Sequence, residues 1–304
     1  MDTTQVRHRL GRFGVWIAPM TLARTPVTVQ REQFARIEGL GYGSLWTGEP
    51  PPSSPAGGRE IFAQLAVMLA ATRRLVAGAG VANITVRDPV AAHGGAATLA
   101  EAYPGRLVLG LGGHTGEHTG GRPLSALCAY LDAMDRAAAR DDELAGARYP
   151  RVLAALGPRA HRLAGERAHG AHPFMQPVEH TEAARRALGP DGLLIPHQML
   201  VLDPDAARAR GRIRALISLG GDGDNPYTAN YRRLGYGDAD LAGGRSDRLI
   251  DALLAWGEDE AVAARLRAHL AAGADHVLLH PLTGDLPSAV DQLERLAPRL
   301  TSAG

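Results

Sequence analysis

Short apolar runs alternate with longer amphipathic runs along most of the chain. Several of the short runs are apolar over their whole length, which is typical of parallel strands that are covered on both faces of a sheet. The β-type runs are FGVWIA (13–18), GSLW (43–46), RLVAGAGV (74–81), RLVLGLG (106–112), RVLAAL (151–156), GAHPFM (170–175), MLVLD (199–203) and HVLLH (276–280). Eight such strands with helical runs between them predict an α/β protein, a (β/α)8 TIM barrel rather than an open sheet.

One region departs from this alternation. Residues 204–258 are too many for a single crossover helix, and they contain the loop-like stretch SLGGDGDNPYTANYRRLGYGD. We therefore predict an insertion between the seventh and eighth strands of one domain that spans residues 1–304, a length that a barrel of this kind commonly reaches. Because insertions on barrels usually lie at the catalytic face, we expect this segment to shape a substrate pocket.

The basic residues of the chain exclude several functions. All 33 of them are arginines, so there is no lysine for a Schiff base or for a Walker-type phosphate loop. The formal net charge is +1, and both signs are scattered along the sequence instead of forming a basic face. We therefore expect no nucleic-acid partner.

Cysteine content and hydropathy indicate the compartment. Cys128 is the single cysteine, so no disulfide can form within the chain, and its apolar surroundings predict a buried structural thiol. No apolar run approaches the roughly 20 residues that span a bilayer, and residues 1–14 have no apolar signal-peptide core. These features predict a cytoplasmic protein that does not bind membranes.

The segment PGRLVLGLGGHTGEHTGGRP (104–123) allows several interpretations. His114, Glu117 and His118 match the H-x-x-E-H pattern of zinc peptidases, but that pattern requires a helix, and the surrounding glycines are unfavourable in one. A second interpretation is the glycine loop of a dinucleotide-binding fold, although the expected acidic residue at the end of the next strand is missing. The third is a barrel strand whose loop borders a ligand, and the fourth is an ordinary solvated loop.

The sequence resembles the luciferase-like monooxygenase superfamily, and within it the subfamily of oxidoreductases that use the deazaflavin coenzyme F420. The resemblance is carried in chain order by FGVWIAP, GYGSLWTGE, ATRRLVAGAGVANITVRDPVAAHGGAATLAEAYPGRLVLGLGG, VLAALGPRAHRLAGERAHGAHPFM, NYRRLGYGDADL, RLIDALLAWG and AGADHVLLHPL. It covers nearly the whole chain, and GRLVLGLGG preceded by RDP is its most specific part. This resemblance favours the barrel-loop interpretation of residues 104–123.

The resemblance implies a cofactor across the C-terminal mouth of the barrel. It places a cis peptide bond at Gly80–Val81 and a phosphate cradle at the strand-to-helix turn that contains Gly157. Helix amides at such a turn bind anions, and proline is tolerated at the first helical position. The cofactor-binding residues predicted in this way are Gly80, Val81, Asn83, Gly112, Gly113, Gly157, Pro158, Arg159 and Arg162.

Two residues are candidates for proton exchange with the substrate. Glu49 ends the second strand, where better-studied deazaflavin dehydrogenases have an aspartate–histidine pair, and it can exchange a proton or cap the loop. His114 can polarise a substrate carbonyl group from the loop after strand four. We assign a structural role to Trp46, in the barrel core, and to His197, which is predicted to precede its strand.

The expected activity is hydride transfer between coenzyme F420 and a small organic substrate. Since C5 of a deazaflavin exchanges hydride and reacts poorly with oxygen, dehydrogenation or reduction is favoured over monooxygenation. An FMN-dependent luciferase-like monooxygenase is the alternative within the family. A zinc hydrolase that uses His114, Glu117 and His118, and a barrel that binds a ligand without catalysis, are the alternatives outside it. The resemblance also implies a homodimer.

Overall fold

The computed structural model describes residues 2–50, 58–113, 123–140, 148–217 and 224–301. The strands are β1 (Phe13–Trp16), β2 (Ser44–Thr47), β3 (Val76–Asn83), β4 (Leu107–Gly112), β5 (Arg151–Ala154), β6 (Gly170–His172), β7 (Leu193–Leu194), β8 (His197–Val201), β9 (Leu254–Trp256) and β10 (Val277–Pro281). The helices are α1 (Thr3–Leu10), α2 (Pro19–Arg24), α3 (Val27–Gly39), α4 (Ile61–Ala71), α5 (Pro89–Ala102), α6 (Pro123–Ala138), α7 (Pro158–Arg167), α8 (Val178–Leu188), α9 (Ala206–Ile217), α10 (Pro226–Arg233), α11 (Asp238–Leu241), α12 (Asp247–Leu253), α13 (Asp259–Ala271) and α14 (Leu286–Leu300).

The strands form one parallel sheet in the order β7-β6-β5-β4-β3-β2-β1-β10-β8-β9. Only Ile195 and Pro196 separate β7 from β8, so these two strands are halves of one barrel strand. Ile195 N donates to Ala171 O on β6, and Leu278 N on β10 donates to Pro196 O. The broken strand therefore joins the two ends of the sheet, and eight parallel strand positions close the predicted (β/α)8 barrel.

The position of the seventh strand corrects one prediction. The sequence placed His197 before a strand that began at residue 199, but the strand begins at Leu193 and His197 lies within it. Pro196 has no N–H group to donate, so the hydrogen bonding of the strand is interrupted at this residue. A proline at this position also makes the sequence resemble a turn. His197 is consequently a barrel residue, and its side chain is buried among aromatic rings.

The insertion between the seventh and eighth barrel strands is present as predicted. Its described part contains α9 to α12 and the short strand β9, which pairs with β8 from Met199 to Val201. The sequence did not predict β9. Apolar side chains of the insertion, among them Tyr231 and Leu249, pack with Met199 into a separate hydrophobic cluster. The insertion is thus attached to the C-terminal half of the seventh strand, beside the mouth of the barrel.

Glycines and large side chains complement one another inside the barrel. A Cβ atom at Gly78 on β3 would overlap the Trp46 ring from β2, and one at Gly14 on β1 would overlap His276 and Ser44. Trp46 is completely buried, as predicted, and its indole N–H donates to Ser44 Oγ at 2.7 Å. Small residues on some strands therefore leave the space into which large residues from other strands extend.

Buried histidines make the stability of the fold depend on pH. Burial lowers the pKa of His276 to about 4 and of His269 to about 3, from an ordinary value of about 6.5. As pH falls from about 6.5 towards 4, these two histidines become protonated in the unfolded chain but stay largely neutral in the folded chain. The free energy of unfolding is therefore expected to fall over this pH range. Urea unfolding at a series of pH values measures this slope.

A variant of one buried histidine tests the cause. We expect His269→Gln to reduce the slope by up to about 1.4 kcal/mol per pH unit, because one fewer proton is taken up on unfolding. His8 is exposed on α1, so His8→Asn is the matched control and is expected to keep the wild-type slope. Equal slopes for His269→Gln and the wild type would contradict this assignment.

Candidate active site

The ends of β1 and β3 meet in the barrel mouth. The Gly80–Val81 peptide bond is cis, as expected, and the pairing of β3 with β4 shifts register between Ala79 and Ala82. Trp16 Nε1 donates to Gly80 O across the interior at 3.1 Å. A Cβ atom at residue 80 would lie 2.9 Å from Nε2 of His172. Gly80 on β3 therefore lies close to Trp16 from β1 and to His172 from β6.

Glu49 ties the end of β2 to the end of β3. Its carboxylate accepts hydrogen bonds from both terminal nitrogens of the Arg87 guanidinium and from Asn83 N, the latter at 2.9 Å. The side chains of Glu49 and Arg87 are only 5% and 12% exposed. Both carboxylate oxygens are thus occupied within the protein. A role for Glu49 in proton exchange stays a prediction, and such a role would have to compete with this ion pair.

Asn83 and the two glycines that end β4 form one edge of the mouth. Asn83 is buried, and its Oδ1 accepts from Thr85 N at 3.0 Å and from Thr85 Oγ1 at 2.8 Å. A Cβ atom at Gly113, where φ is +76°, would lie 2.6 Å from Asn83 Cγ, and one at Gly112 would lie 2.5 Å from Ala154 Cβ. The predicted cofactor residues of β3 and β4 are therefore in direct contact. His114 lies outside the described residues.

Helix α7 begins in a turn that suits an anion. Gly157 is its N-cap and offers no side chain to the helix amides, and Pro158 occupies the first turn. Ala160 N and His161 N donate to Gly157 O, whereas Arg159 N has no acceptor within the described part of the chain. Free amides and the positive end of the helix dipole at such a turn attract negative charge.

Two buried histidines hold this turn in place. His161 Nδ1 is 3.0 Å from Gly157 O, and His180 Nε2 is 2.8 Å from Leu156 O, so each ring donates to a carbonyl group. Burial and the neighbouring His180 lower the pKa of His161 to about 4. Both rings are therefore neutral near pH 7, and each holds one carbonyl group of the segment that leads into α7. Sequence reasoning did not assign a role to either histidine.

Arg233, which sequence reasoning did not single out, reaches the same turn from the insertion. Its Nη2 atom would lie 3.1 Å from a Cβ atom at Gly157. The guanidinium donates to Asn230 Oδ1 at 2.9 Å, and no carboxylate pairs with it in the described ranges. Asn230 is itself held by Gln176 at 2.6 Å. Arg233 lies within the stretch NYRRLGYG, but nothing in that stretch predicts its contact with Gly157, because the two residues are far apart along the chain.

Arg159 and Arg162 are exposed and line an open groove of about 540 Å³ between α6 and α7. Asp132, Glu166 and Cys128 lie in the same groove.

Cys128 is only partly buried, which corrects the prediction of a buried thiol. The apolar stretch around it is amphipathic in the helix, and the face that carries Cys128 borders the groove instead of the barrel.

Other predictions concern metals and membranes. Among the residues that the structure describes, no three histidine, cysteine, aspartate or glutamate side chains are arranged to hold a metal ion. His114, Glu117 and His118 lie outside those residues, so the zinc hypothesis stays untested. No described helix is both long enough and apolar enough to cross a membrane.

Comparison with known proteins identifies the family. The sequence model of the luciferase-like monooxygenases matches residues 12–276, so the chain belongs to that family. This confirms the resemblance inferred from the sequence. A search of curated protein sequences finds no significant match.

Solved structures share the fold over almost the whole chain. An F420-dependent secondary alcohol dehydrogenase in complex with an F420–acetone adduct is 15% identical, with a TM-score of 0.68 over 96% of this chain and 99% of that one. The coenzyme F420-dependent tetrahydromethanopterin reductase from Methanopyrus kandleri is 16% identical, with a TM-score of 0.70 over 95% and 99%. The oxygenating constituent of 3,6-diketocamphane monooxygenase from Pseudomonas putida, a type II Baeyer–Villiger monooxygenase in complex with FMN, is 13% identical, with a TM-score of 0.67 over 95% and 97%.

The ion pair between Glu49 and Arg87 is expected to stabilise the mouth. Removing one member of a buried pair leaves the other charge uncompensated, so Arg87→Met should lower the free energy of unfolding by about 3 kcal/mol. The pair of Arg267 and Glu260 is exposed, with 43% and 66% of the two side chains accessible, and provides the control. Arg267→Met should cost less than about 1 kcal/mol. Denaturant unfolding of both variants measures the difference, and similar losses would contradict it.

Proposed function

We propose that the protein is an oxidoreductase that binds coenzyme F420 across the barrel mouth and transfers hydride between it and a small organic substrate. The family supplies the reaction class, and the luciferase-like fold is shared by enzymes that use F420 and by enzymes that use FMN. The observation that favours F420 here is the presence of two further arginines, Arg159 and Arg162, beyond the anion cradle at Gly157. A phosphate in that cradle would have Arg233 on one side, with Arg159 and Arg162 along the adjoining groove.

The residues present fit such a cofactor. At Gly157 a side chain would enter the space between the helix start and Arg233, so the glycine keeps that approach open to a phosphate. Arg159 N–H and the Arg233 guanidinium would hold the phosphate. Arg159 and Arg162 would face the anionic tail that F420 carries beyond its phosphate, in a groove where Asp132 and Glu166 also lie.

The deazaflavin ring system of the cofactor would lie on the residues at the ends of β3 and β4. Gly80, Gly112 and Gly113 provide a surface without side chains beside Val81. Thr85 donates to the side-chain oxygen of Asn83, which leaves the side-chain nitrogen, Nδ2, as the available donor. When bound, the deazaflavin supplies a carbon centre that gives or accepts hydride. The protein contributes orientation, exclusion of water and a group that exchanges the substrate's proton. Glu49 and His114 are the candidates for that group from the sequence.

The FMN-dependent alternative is tested by comparing the two cofactors. FMN ends at its phosphate and would gain nothing from arginines further along the groove. We expect F420 to bind with micromolar or lower Kd and FMN at least tenfold more weakly, a difference of about 1.4 kcal/mol. Fluorescence titration of the wild-type protein with both cofactors measures these values. FMN binding that equals or exceeds F420 binding would contradict the assignment.

Arginine variants locate the anion site. Arg233→Gln should weaken binding of both cofactors at least tenfold, because both would present a phosphate to the cradle. Arg162→Ala should weaken F420 more than FMN. Arg232 is adjacent on α10 but pairs with Asp224 and Asp238 on the surface, so Arg232→Gln is the matched control and should bind F420 as the wild type does. Equal effects of Arg232→Gln and Arg233→Gln would place the phosphate elsewhere.

The zinc hydrolase alternative has an independent test. Purified protein is expected to contain no stoichiometric zinc by elemental analysis, and His118→Ala should leave the metal content unchanged. Near-stoichiometric zinc that is lost in His118→Ala would favour the hydrolase.

The homodimer and the cytoplasmic location stay predictions, and analytical ultracentrifugation checks the first of them.

A further inference from the structure

Five aromatic side chains fill the upper interior of the barrel. Trp16 and His280 extend from the ends of β1 and β10 with ring centroids 4.5 Å apart, and His197 from β8 stacks on Phe174 at 3.9 Å. His172 ends β6 and reaches across the interior to Gly80 on β3. The carboxyl ends of barrel strands form the catalytic face of this fold. The three histidines therefore lie directly beneath the proposed cofactor site.

His197 and His280 form a hydrogen-bonded pair without a carboxylate. His197 Nε2 is 2.8 Å from His280 Nδ1. Burial lowers the pKa of His280 to about 3 and that of His197 well below its ordinary value, and the other groups that influence His197 are His280, His172 and His269. Both rings are therefore neutral near pH 7. A single proton lies between them, so the tautomer of one ring fixes the tautomer of the other.

Two nitrogen atoms in this aromatic cluster have no hydrogen-bond partner among the described residues. His172 Nδ1 donates to Ile195 O at 2.7 Å, which leaves Nε2 as a hydrogen-bond acceptor. Neither that atom nor His197 Nδ1 has a hydrogen-bond partner within the described residues. An unsatisfied polar atom in a core is costly, and apolar side chains of similar size would fill the same space without that cost. The imidazoles are thus better suited to binding a polar group than to packing alone.

His280 is the most exposed of the three histidines. It retains 5% exposure, whereas His172 and His197 retain 1% each, and it lies one residue before the end of β10. Glu49, the acidic residue at the mouth, is occupied by Arg87 and by Asn83 N. Unlike Glu49, the coupled imidazole of His280 can therefore change its proton without breaking a salt bridge.

We propose that His280, coupled to His197, exchanges the hydroxyl proton of an uncharged alcohol or carbonyl substrate. This rests on the proposed function, which supplies the hydride acceptor. In oxidation, the carbinol C–H bond would break and its electron pair would leave as hydride, which a bound oxidised deazaflavin would accept. The O–H proton passes to His280 Nε2 and the C=O bond forms. Three of the four ring nitrogens of His197 and His280 then carry a proton. Reduction of a carbonyl substrate would run the proton and hydride transfers in the opposite direction.

The composition of the aromatic cluster also favours one substrate class. Its polar atoms belong to neutral imidazoles and an indole N–H, and no arginine or carboxylate is within hydrogen-bond distance of the three histidines in the described structure. A carboxylate or phosphate on the substrate would lose its hydration without gaining a counter-ion there. A hydroxyl or carbonyl group needs only one donor or acceptor, which the His197–His280 pair can provide in either tautomer.

Nitrogen NMR of the full-length protein labelled with ¹⁵N-histidine tests recognition without turnover. 2-Propanol and acetone serve as neutral probes, and acetate is the charged control. We expect the neutral probes to shift the His280 and His197 nitrogen resonances, both with and without F420, and acetate to leave them unchanged. His276 and His269 serve as internal references, because the first lies deeper in the barrel and the second packs outside it. Shifts of equal size at all four residues, or at none, would contradict the proposal.

Variants of His280 test proton exchange. His280→Phe keeps an aromatic ring, and His280→Gln keeps hydrogen bonding without basicity. Each is expected to lower the rate of F420 reduction by a panel of neutral secondary alcohols at least a hundredfold, with the Kd for F420 changed less than twofold. His8→Asn, at an exposed position of α1 remote from the barrel interior, is the control and should retain the wild-type rate. Thermal unfolding of each variant verifies folding, and the NMR measurement on the wild type tests the proposal if both variants misfold.

The outcomes separate the two proposals. If the wild type binds F420 but the folded His280 variants keep its rate within threefold, the role of His280 is wrong and the proposed function stands. If the wild type binds F420 and oxidises none of the neutral alcohols, nor the reduced form any matching ketone, the substrate class is wrong. If the wild type does not bind F420, the proposed function is contradicted, and the inference fails with it because the hydride acceptor is missing.

Discussion

The interior of a closed eight-stranded barrel must be filled by side chains, and this requirement determines the site. Glycines on β1 and β3 leave space that Trp46, His276, Trp16 and His172 occupy from other strands. Because the large residues cross the interior, strands that are not neighbours in the sheet become connected. The same packing that closes the barrel supplies the floor of its mouth. At the upper end that floor consists largely of imidazole and indole rings.

Above this floor, the ends of the strands are fixed by polar contacts rather than by packing alone. Glu49 connects β2 to β3 through Asn83 N and to the following segment through Arg87. A buried ion pair is weak evidence for net stability, because desolvation offsets much of the attraction between the charges. It does, however, define one geometry for the loops that it joins. That geometry places Asn83 against Gly113 at the edge of the proposed cofactor site.

The insertion contributes to the site in a way that a regular barrel would not. Strand β9 attaches it to the seventh barrel strand, and Gln176 holds Asn230, which in turn accepts from Arg233. Arg233 is thereby presented to the first turn of α7, which belongs to the fifth βα unit. An anion at that turn would be contacted by the barrel and by the insertion at once. Two buried neutral histidines, His161 and His180, hold the carbonyl groups of Gly157 and Leu156 in this turn.

The sequence by itself determined the alternation of strands and helices, the eight barrel positions, the insertion and the family, since period and composition are local properties of the chain. The family resemblance placed the cis bond at Gly80–Val81, and the Gly157–Pro158 pair marked the turn at the start of α7. The sequence misplaced the start of the seventh strand because Pro196 interrupts the ladder there. Only the tertiary structure decided that Glu49 pairs with Arg87, that Arg233 reaches Gly157, and that His172, His197 and His280 meet. These contacts join residues far apart in the sequence, and they arise from barrel closure, which no local pattern encodes.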